Sequence, residues 1–247
     1  MTELQLAASV LKSNSFPEAV VSVRDLHGWY GESHALQGIS FDVKEGEVVT
    51  LLGRNGAGKT TTLRAVMGLL SKRTGSIGLM GRETIKLPTR AIARLGIGYC
   101  PEERGIFSSL SVEENLLLPP VTRGGGLAIS TILELFPNLR ERMSSQGTNL
   151  SGGEQQMLAI ARILRTGSKI LLLDEPTEGL APVIVKQIGR TIALLKRAGF
   201  TMLLVEQNLR FACSVADRHC VVELGRVVDT IEKTDANFET LQRYLKF

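Results

Sequence analysis

The feature that most constrains the fold of this chain is a glycine-rich loop placed between an apolar run and a helical pattern. Residues 48–52 are apolar enough for a buried strand, and residues 53–58 follow as Gly-Arg-Asn-Gly-Ala-Gly. Lys59 and Thr60 then begin a helix that is predicted to extend to Leu70. In this pattern the glycines let successive backbone N–H groups point into one concavity that fits phosphate oxygens. The sequence therefore predicts a strand, a phosphate-binding loop and a helix as one unit.

Two side chains at the start of that helix complete the predicted phosphate site. Lys59 is placed to reach the β and γ phosphates of a nucleotide, and the Thr60 hydroxyl is placed to ligate Mg²⁺. The predicted nucleotide contacts of the loop and helix are Gly53, Asn55, Gly56, Ala57, Gly58, Lys59, Thr60 and Thr61.

A second anion-binding helix start is predicted at residues 150–156, which read Leu-Ser-Gly-Gly-Glu-Gln-Gln. Ser151 can cap a helix that is expected to extend to Arg165, and Glu154 stands where a capping-box partner belongs. The two glycines leave backbone N–H groups of the first turn open, so this helix start is predicted to hold an anion. Because the chain already has a phosphate loop, that anion is predicted to belong to a nucleotide bound mainly by another subunit.

Residues 170–175, Ile-Leu-Leu-Leu-Asp-Glu, predict an apolar strand that ends in two carboxylates. At the end of the strand the chain can turn so that Asp174 faces a metal ion and Glu175 faces the γ-phosphate. Asp174 is expected to hold Mg²⁺ through water, and Glu175 is expected to be the general base or to orient the attacking water. Such a pair alone also fits a helix cap or a solvated turn, and the phosphate loop favours the catalytic interpretation.

Further apolar runs predict an α/β fold. Half-buried antiparallel strands are expected near the start, and later strands separated by helical patterns favour a mostly parallel sheet with helices on both faces. Between residues 101 and 164 the strand signal disappears, and Ser111 with Glu114 predicts a capping box at the start of a helix. A helical subdomain inserted into the α/β core is therefore expected. The predicted strands include residues 21–23, 39–43, 48–52, 96–100, 169–173, 201–205 and 220–223.

Composition excludes several classes of protein. The 247 residues are 43% hydrophobic, and no apolar run approaches the ~20 residues needed to cross a bilayer. A net charge of +4 without a long basic run gives no indication of a nucleic-acid groove. The cysteines Cys100, Cys213 and Cys220 lack Cys-x-x-Cys spacing, which favours a reducing cytoplasm. Residues 1–20 are interpreted as a flexible extension, because Glu3 stands where a secretory signal needs positive charge.

The phosphate loop, residues 150–156 and the Asp174-Glu175 pair, in this order, resemble an ATP-binding cassette (ABC) ATPase. The resemblance implies an α/β fold with a P-loop NTPase (RecA-like) core, an N-terminal antiparallel β subdomain and an inserted helical subdomain. It also implies ATP and Mg²⁺ as cofactors. The implied boundaries are a single ABC ATPase domain at residues 21–247, with the core at 21–100 and 165–247 and the helical subdomain at 101–164.

Members of that family pair head to tail and hold two ATP molecules. Each ATP lies between the phosphate loop of one subunit and the signature segment of the other, which corresponds to residues 150–156 here. The resemblance therefore implies that Ser151, Gly152 and Gly153 contact the nucleotide held by the partner. Tyr30, in Trp29-Tyr30-Gly31, matches the aromatic residue that stacks on adenine in the family, a contact worth ~1–3 kcal/mol by analogy with base stacking.

Three positions depart from the general family pattern. Glu102 stands where most members have a glutamine that senses Mg²⁺, Gln207 where most have a histidine, and Ala181 where an interface loop usually ends in aspartate. Loss of the histidine can accompany loss of hydrolysis, which would leave a nucleotide-binding regulator. Retention of Lys59 and Glu175 favours an active site, since the Gln207 amide can still donate a hydrogen bond to a γ-phosphate.

Together the departures resemble one of the two ATPase subunits of branched-chain amino acid importers. The implied partners are a second, non-identical ABC ATPase subunit, two membrane permease subunits docking near residues 102–111, and indirectly an extracytoplasmic substrate-binding protein. A homodimer is the alternative for the isolated chain, and the expected location is the cytoplasmic face of the inner membrane. The alternatives are an ATPase of urea- or amide-type importers and a soluble ABC ATPase for cofactor assembly. A kinase or GTPase is disfavoured, because the chain has no Asn-Lys-x-Asp motif.

Overall fold

The computed structural model of the protein describes residues 19–122, 124–234 and 238–245. The predicted extension at residues 1–20 lies outside these ranges except for Ala19 and Val20. Val20 is buried, and its N–H donates to the Val43 carbonyl at 2.9 Å, so the ordered fold includes this residue. Among the described residues, no helix has both the length and the apolar character that crossing a bilayer requires.

A six-stranded sheet forms the centre of the fold, in the order β10-β9-β3-β8-β7-β6. All neighbouring pairs are parallel except β9 and β10, which form an antiparallel hairpin at one edge. Every residue of β3, β7 and β8 is buried, as expected for parallel strands covered on both faces. The strands are β3 (Val48–Leu52), β6 (Ile97–Cys100), β7 (Ile170–Asp174), β8 (Thr201–Glu206), β9 (Arg218–Glu223) and β10 (Arg226–Glu232).

A second, antiparallel sheet near the N-terminus has the order β2-β1-β4-β5. Its strands are β1 (Val21–Tyr30), β2 (Ser33–Val43), β4 (Lys72–Leu79) and β5 (Arg82–Glu83). The predicted antiparallel pair corresponds to β1 and β2. The sequence did not reveal β4 or β10, because β4 contains two glycines and several charged or polar residues and lacks the regular apolar alternation of a strand.

The helices lie between the strands. They are α1 (Lys59–Val66), α2 (Thr89–Ala93), α3 (Val112–Leu117), α4 (Ile129–Leu135), α5 (Pro137–Arg140), α6 (Gly152–Arg165), α7 (Pro182–Arg197), α8 (Leu209–Val215) and α9 (Phe238–Leu245), with a 3₁₀ turn at Gly147–Asn149. Of residues 101–164, the described part contains helices and one isolated bridge between Ser111 and Gln146. Helix α1 ends before the predicted Leu70, because Gly68 adopts a φ of +74° and the Leu69 N–H donates to the Arg64 carbonyl at 2.8 Å.

Alternate residues of the central strands pack into two different cores. Leu171 and Leu173 of β7 face a core shared with α6 and α7, whereas Leu172 faces a core shared with α1 and the antiparallel sheet. One face of the central sheet is therefore covered by helices, and the other is covered by α1 together with the second sheet. This arrangement brings the loops after β3, β7 and β8 to one edge of the central sheet.

Candidate functional site

A cavity of about 300 Å³ opens at the carboxyl ends of the central parallel strands. Ligands of open α/β sheets bind in this position, because the loops leave the strands there. The cavity brings together most of the residues predicted from the phosphate loop, the Glu102 segment and the ends of β7 and β8. Its lining residues are Ala35, Asn55, Gly56, Gly58, Lys59, Thr60, Thr61, Glu102, Glu175, Glu178 and Gln207.

The loop between β3 and α1 is packed tightly against β9. A Cβ atom on Gly53 would lie 2.2 Å from the Val222 carbonyl oxygen, so only glycine fits at this point of closest approach. The Gly225 N–H donates to the Ala57 carbonyl at 2.9 Å and fixes the loop from the same side. Gly53 and Ala57 are therefore part of the loop's support rather than of the lining of the 300 Å³ cavity.

Lys59 is almost completely buried beneath the loop. Its ammonium group donates hydrogen bonds to the carbonyl oxygens of Gly53 at 2.8 Å and Arg54 at 3.0 Å. Burial lowers the pKa of Lys59, while the carboxylates of Glu175 and Asp174 act in the opposite direction. The carbonyl oxygens of the loop thus hold the Lys59 ammonium group in place. From there it would help the loop to bind phosphate.

The hydroxyl of Thr60 and the carboxylate of Asp174 lie side by side. Thr60 Oγ1 donates to Asp174 Oδ1 at 2.9 Å, and the Tyr99 hydroxyl donates to Asp174 Oδ2 at 3.0 Å. Asp174 is 1% exposed, and burial raises its pKa against the effect of these two donors. A hydroxyl and a carboxylate are oxygen ligands of the kind that Mg²⁺ prefers.

Glu175 lies just beyond β7, where the chain turns. Its φ of +46° is unusual for a residue other than glycine, and its N–H donates to the Val205 carbonyl at 2.9 Å. The side-chain amide of Gln207 donates to both Glu175 carboxylate oxygens, at 2.7 Å and 2.6 Å. Glu175 and Gln207, two of the three residues predicted to be catalytic with Lys59, are therefore in direct contact.

Two further carboxylates line the cavity. Glu102 is exposed after β6, and Glu178 is exposed after the Glu175 turn. Burial raises the pKa of Glu178, and the nearby Glu175 and Glu102 carboxylates raise it further. The cavity lining therefore carries an excess of negative charge, with three glutamates against Lys59, which a bound cation would relieve.

Tyr30 lies outside the lining of this cavity. It is the last residue of β1 and 45% exposed, and it interacts with the guanidinium of Arg64 on α1. Hydrogen bonds with Tyr30 and Tyr99 raise the pKa of Arg64, which also lies 3.6 Å from Glu103. Tyr30 is thus exposed and outside the cavity lining, and its predicted stacking on adenine stays a prediction.

The predicted anion-binding helix start is formed at α6, away from the cavity lining. Ser151 Oγ accepts a hydrogen bond from the Glu154 N–H at 3.3 Å, and Glu154 Oε2 accepts one from the Ser151 N–H at 2.7 Å. This is the predicted capping box. Gly152 and Gly153 form the first turn. Ser151 is exposed, Gly152 is half-buried and Gly153 is buried, and none of the three lines the Lys59 cavity.

Several residues that support the site do not stand out in the sequence. Tyr99 contacts Asp174, Glu178 lines the cavity, and Thr177 donates to Glu206 at 2.8 Å. Arg104 Nη1 donates to Gln155 Oε1 at 2.8 Å, which links the Glu102 segment to α6. No periodicity or motif identifies such contacts, because each joins segments that are distant in sequence.

A larger cavity of about 690 Å³ lies on the other side of the phosphate loop, between the loop, the β9–β10 turn and α9. It is lined by Arg54, Ala57, Leu224 and Tyr244, among others, and lacks the side chains of Lys59, Thr60 and Glu175. Volume alone therefore does not identify the site. The smaller cavity contains the groups that can bind and activate a phosphate.

Comparison with known proteins identifies the same residues as part of a recognised domain. The family model described as ABC transporter matches residues 36–178, which include the phosphate loop, the α6 helix start and the end of β7. A solved structure described as the ATP-binding subunit of an ABC transporter superposes with a TM-score of 0.78 at 28% identity, covering 91% of this chain and 98% of that chain.

Two curated relatives are similar over most of their length. The high-affinity branched-chain amino acid transport ATP-binding protein BraG of Pseudomonas aeruginosa is 46% identical over 209 residues, which cover 81% of this chain and 87% of BraG. A probable branched-chain amino acid transport ATP-binding protein, LivF of Archaeoglobus fulgidus, is 37% identical over 206 residues, covering 82% of this chain and 87% of LivF.

Proposed function

This chain belongs to the ABC transporter ATP-binding family and is an ATPase of that type, and from this premise we propose that it powers import of branched-chain or related amino acids through membrane permeases. The observation that carries the ATPase chemistry is the convergence of Lys59, Thr60, Glu175 and Gln207 on one cavity. The substrate class is supported by similarity to BraG and LivF, whose names describe branched-chain amino acid transport. The departures from the general family pattern at Glu102, Gln207 and Ala181 also resemble an ATPase subunit of branched-chain amino acid importers.

The residues present fit ATP with Mg²⁺. Backbone N–H groups of the loop and the buried Lys59 ammonium suit the phosphates, and the adjacent Thr60 hydroxyl and Asp174 carboxylate suit the metal ion. When bound, Mg²⁺ neutralises charge on the phosphate oxygens. We place Glu102 at the edge of the same metal site, because its exposed side chain lines the cavity.

Glu175 is the proposed base or water-orienting group. Its carboxylate lies in the same cavity as Lys59, and the neutral amide of Gln207 holds it. Gln207 can exchange this contact for a phosphate oxygen because an amide nitrogen donates two hydrogen bonds. Hydrolysis then depends on how well the Glu175 turn and the Gln207 loop are aligned.

The open start of α6 suits a second nucleotide held by another subunit. Ser151, Gly152 and Gly153 lie outside the Lys59 cavity, and Ser151, which caps the 14-residue helix α6, is exposed. We propose that this surface closes the ATP site of a second, non-identical ABC ATPase subunit. In the reverse direction, the partner's signature closes the Lys59 site.

The segment after Glu102 is the proposed docking site for the permeases, at the cytoplasmic face of the membrane. Phe107 is 46% exposed there, with the Arg162 guanidinium 4.8 Å from the centre of its ring. An exposed aromatic ring beside the boundary of the helical segment fits an interface with another protein.

The site assignment is tested by ATP binding to Lys59→Ala. Removing the charged donor should weaken ATP binding by at least about tenfold, since hydrogen bonds to charged groups contribute ~1.5–3 kcal/mol. Lys72→Ala is the matched control, because Lys72 lies 4.9 Å from the Trp29 ring on the antiparallel sheet and outside the cavity. Equal binding by Lys59→Ala and the control would show that the site is elsewhere.

The transport assignment is tested by co-purifying the chain with permease subunits and reconstituting the complex in vesicles. Leucine, isoleucine or valine, supplied with a substrate-binding protein, should stimulate ATP turnover. Stimulation by urea or amides alone would favour the other importer class, and failure to bind any permease would favour a soluble ATPase.

A further inference from the structure

We propose that Glu206 is a positioning residue of the ATP site, which holds Glu175 and Gln207 in their mutual contact. The inference rests on the proposed ATPase function and adds a residue to it. Glu206 is the last residue of β8, and it is 2% exposed. It is not in the lining of the 300 Å³ cavity, so it acts through its neighbours rather than on the nucleotide.

The two oxygens of the Glu206 carboxyl group contact two different segments. The Thr177 hydroxyl donates to Oε1 at 2.8 Å. The backbone N–H groups of Gln207 and Asn208 each donate to Oε2 at 3.2 Å. Thr177 follows Glu175 by two residues, so one buried side chain fastens the turn that carries Glu175 to the loop that carries Gln207.

The contact between Thr177 and Glu206 lies beyond the last paired residues of β7 and β8, Asp174 and Val205. The Glu175 N–H still donates to the Val205 carbonyl, after which the chain turns away through the left-handed conformation of Glu175, with φ +46°. Such a conformation is unfavourable for a residue other than glycine and persists only where surrounding contacts hold it. The contact between Thr177 and Glu206 is one of those contacts, on the side of the turn that faces Gln207.

The carboxyl group of Glu206 is buried near other charged groups. Burial raises the pKa of Glu206 to about 7, against the donors on Thr177 and the backbone, and the Glu175 carboxylate adds to the increase. The charge of Lys59, at the start of α1, interacts with the same carboxyl group. A protonated Glu206 can donate to the Thr177 hydroxyl and still accept from the two N–H groups, as an amide can, so the attachment persists in both protonation states.

The test compares the steady-state kcat and ATP KM of the full chain, in its purified complex, for wild type, Thr177→Val, Glu206→Ala and Glu206→Gln. Thr177→Val and Glu206→Ala should each lower kcat by about tenfold or more, because a misaligned base loses its orientation. The ATP KM should stay within about twofold, because the nucleotide contacts are untouched. Glu206→Gln should recover most of kcat, since an amide can accept from the two N–H groups and donate to Thr177.

Thr84→Val is the matched control, because Thr84 is fully buried and its hydroxyl donates to the Ile77 carbonyl at 2.8 Å in the antiparallel sheet. It should leave kcat unchanged.

Two results would overturn the proposal. The first is a kcat for Thr177→Val equal to that of Thr84→Val, which is informative even where Glu206→Ala does not fold. The second is an equal loss in Glu206→Gln and Glu206→Ala. An inactive wild-type complex would instead contradict the ATPase assignment, so the two failures are distinguishable.

Discussion

The side-chain amide of Gln207 donates hydrogen bonds to both carboxylate oxygens of Glu175, at 2.7 Å and 2.6 Å. The contact joins the ends of two neighbouring parallel strands, β7 and β8, across the mouth of the cavity. Because an amide is neutral at every physiological pH, it orients the carboxylate without adding a titratable charge. A histidine at this position would add a titratable charge.

Replacing Gln207 by histidine should therefore create a new titration in the ATPase rate. An imidazole has an ordinary pKa of ~6.5, and the adjacent Glu175 carboxylate favours its charged form and raises that pKa. The Gln207→His rate should change across pH ~6–8, measured in the Glu206→Gln background so that Glu206 adds no titration of its own. A pH profile identical to that of Glu206→Gln alone would argue against contact between residue 207 and the reacting groups.

Ser151→Ala and Ser111→Ala should separate helix capping from nucleotide binding. Both serines cap a helix through a complete capping box, with Glu154 and Glu114 respectively. Each substitution should lower the free energy of unfolding by ~0.5–2 kcal/mol, measured by urea denaturation. If the α6 start serves a partner's nucleotide, Ser151→Ala should also reduce ATP-dependent pairing with the second ATPase subunit, and Ser111→Ala should not. Pairing and ATP hydrolysis are measured without permeases, because Ser111 belongs to the proposed docking segment. Equal activity of the two variants would restrict Ser151 to capping.

Tyr99→Phe should weaken the response to Mg²⁺. Its hydroxyl donates to Asp174 Oδ2 at 3.0 Å, while Asp174 Oδ1 is engaged by Thr60. Removing a hydrogen bond that orients a metal ligand typically lowers metal affinity ~10–100-fold, so the Mg²⁺ concentration for half-maximal ATPase activity should rise. Tyr244→Phe is the control, because its hydroxyl donates to Asp229 on β10. An unchanged Mg²⁺ requirement would exclude Asp174 from the metal site.

Local sequence patterns predicted the parts of the fold in which chemistry and secondary structure are set by neighbouring residues. β3 was predicted with its observed bounds, and helix α6 was predicted from Ser151 to Arg165 with its capping box. The glycine loop and the carboxylates after β7 were likewise predicted from residues adjacent in sequence. These features could be predicted because a buried strand, a cap and a phosphate loop each need particular residue types at fixed spacing.

The remainder depends on pairing between distant segments. Strand β4 forms because β1 offers it an edge, although Gly75 and Gly78 weaken its own preference. The attachment of Thr177 to Glu206 spans 29 positions, and that of Tyr99 to Asp174 spans 75. No periodicity in one segment specifies such a partner. The sequence therefore predicted the groups that line the cavity better than those that hold them in place.

The stability of the protein should fall in mild acid because of His219. This histidine on β9 is fully buried, and its Nδ1 shares a hydrogen bond of 2.6 Å with Thr50 Oγ1. Within the described part of the chain, its Nε2 has no hydrogen-bond partner. Burial lowers the pKa of His219 to about 4, and the charge of Lys233 acts in the same direction.

Stability falls in acid because the folded and unfolded states bind the His219 proton at different pH values. The unfolded chain takes up a proton near pH ~6.5 and the folded chain only near its lowered pKa, so the unfolded state binds more protons between these values. The contribution of His219 is fully present above pH ~6.5 and is lost as the pH falls towards about 4. The loss reaches about 3 kcal/mol at most, at 1.36 kcal/mol per pKa unit.

Urea denaturation at several pH values between 4.5 and 7.5 measures how the free energy of unfolding changes with pH. Wild type should show this slope, and so should His34→Gln, because His34 is exposed on β2. The slope should be reduced in His219→Gln. An equal slope in all three proteins would mean that His219 accepts a proton in the folded state as readily as in the unfolded chain.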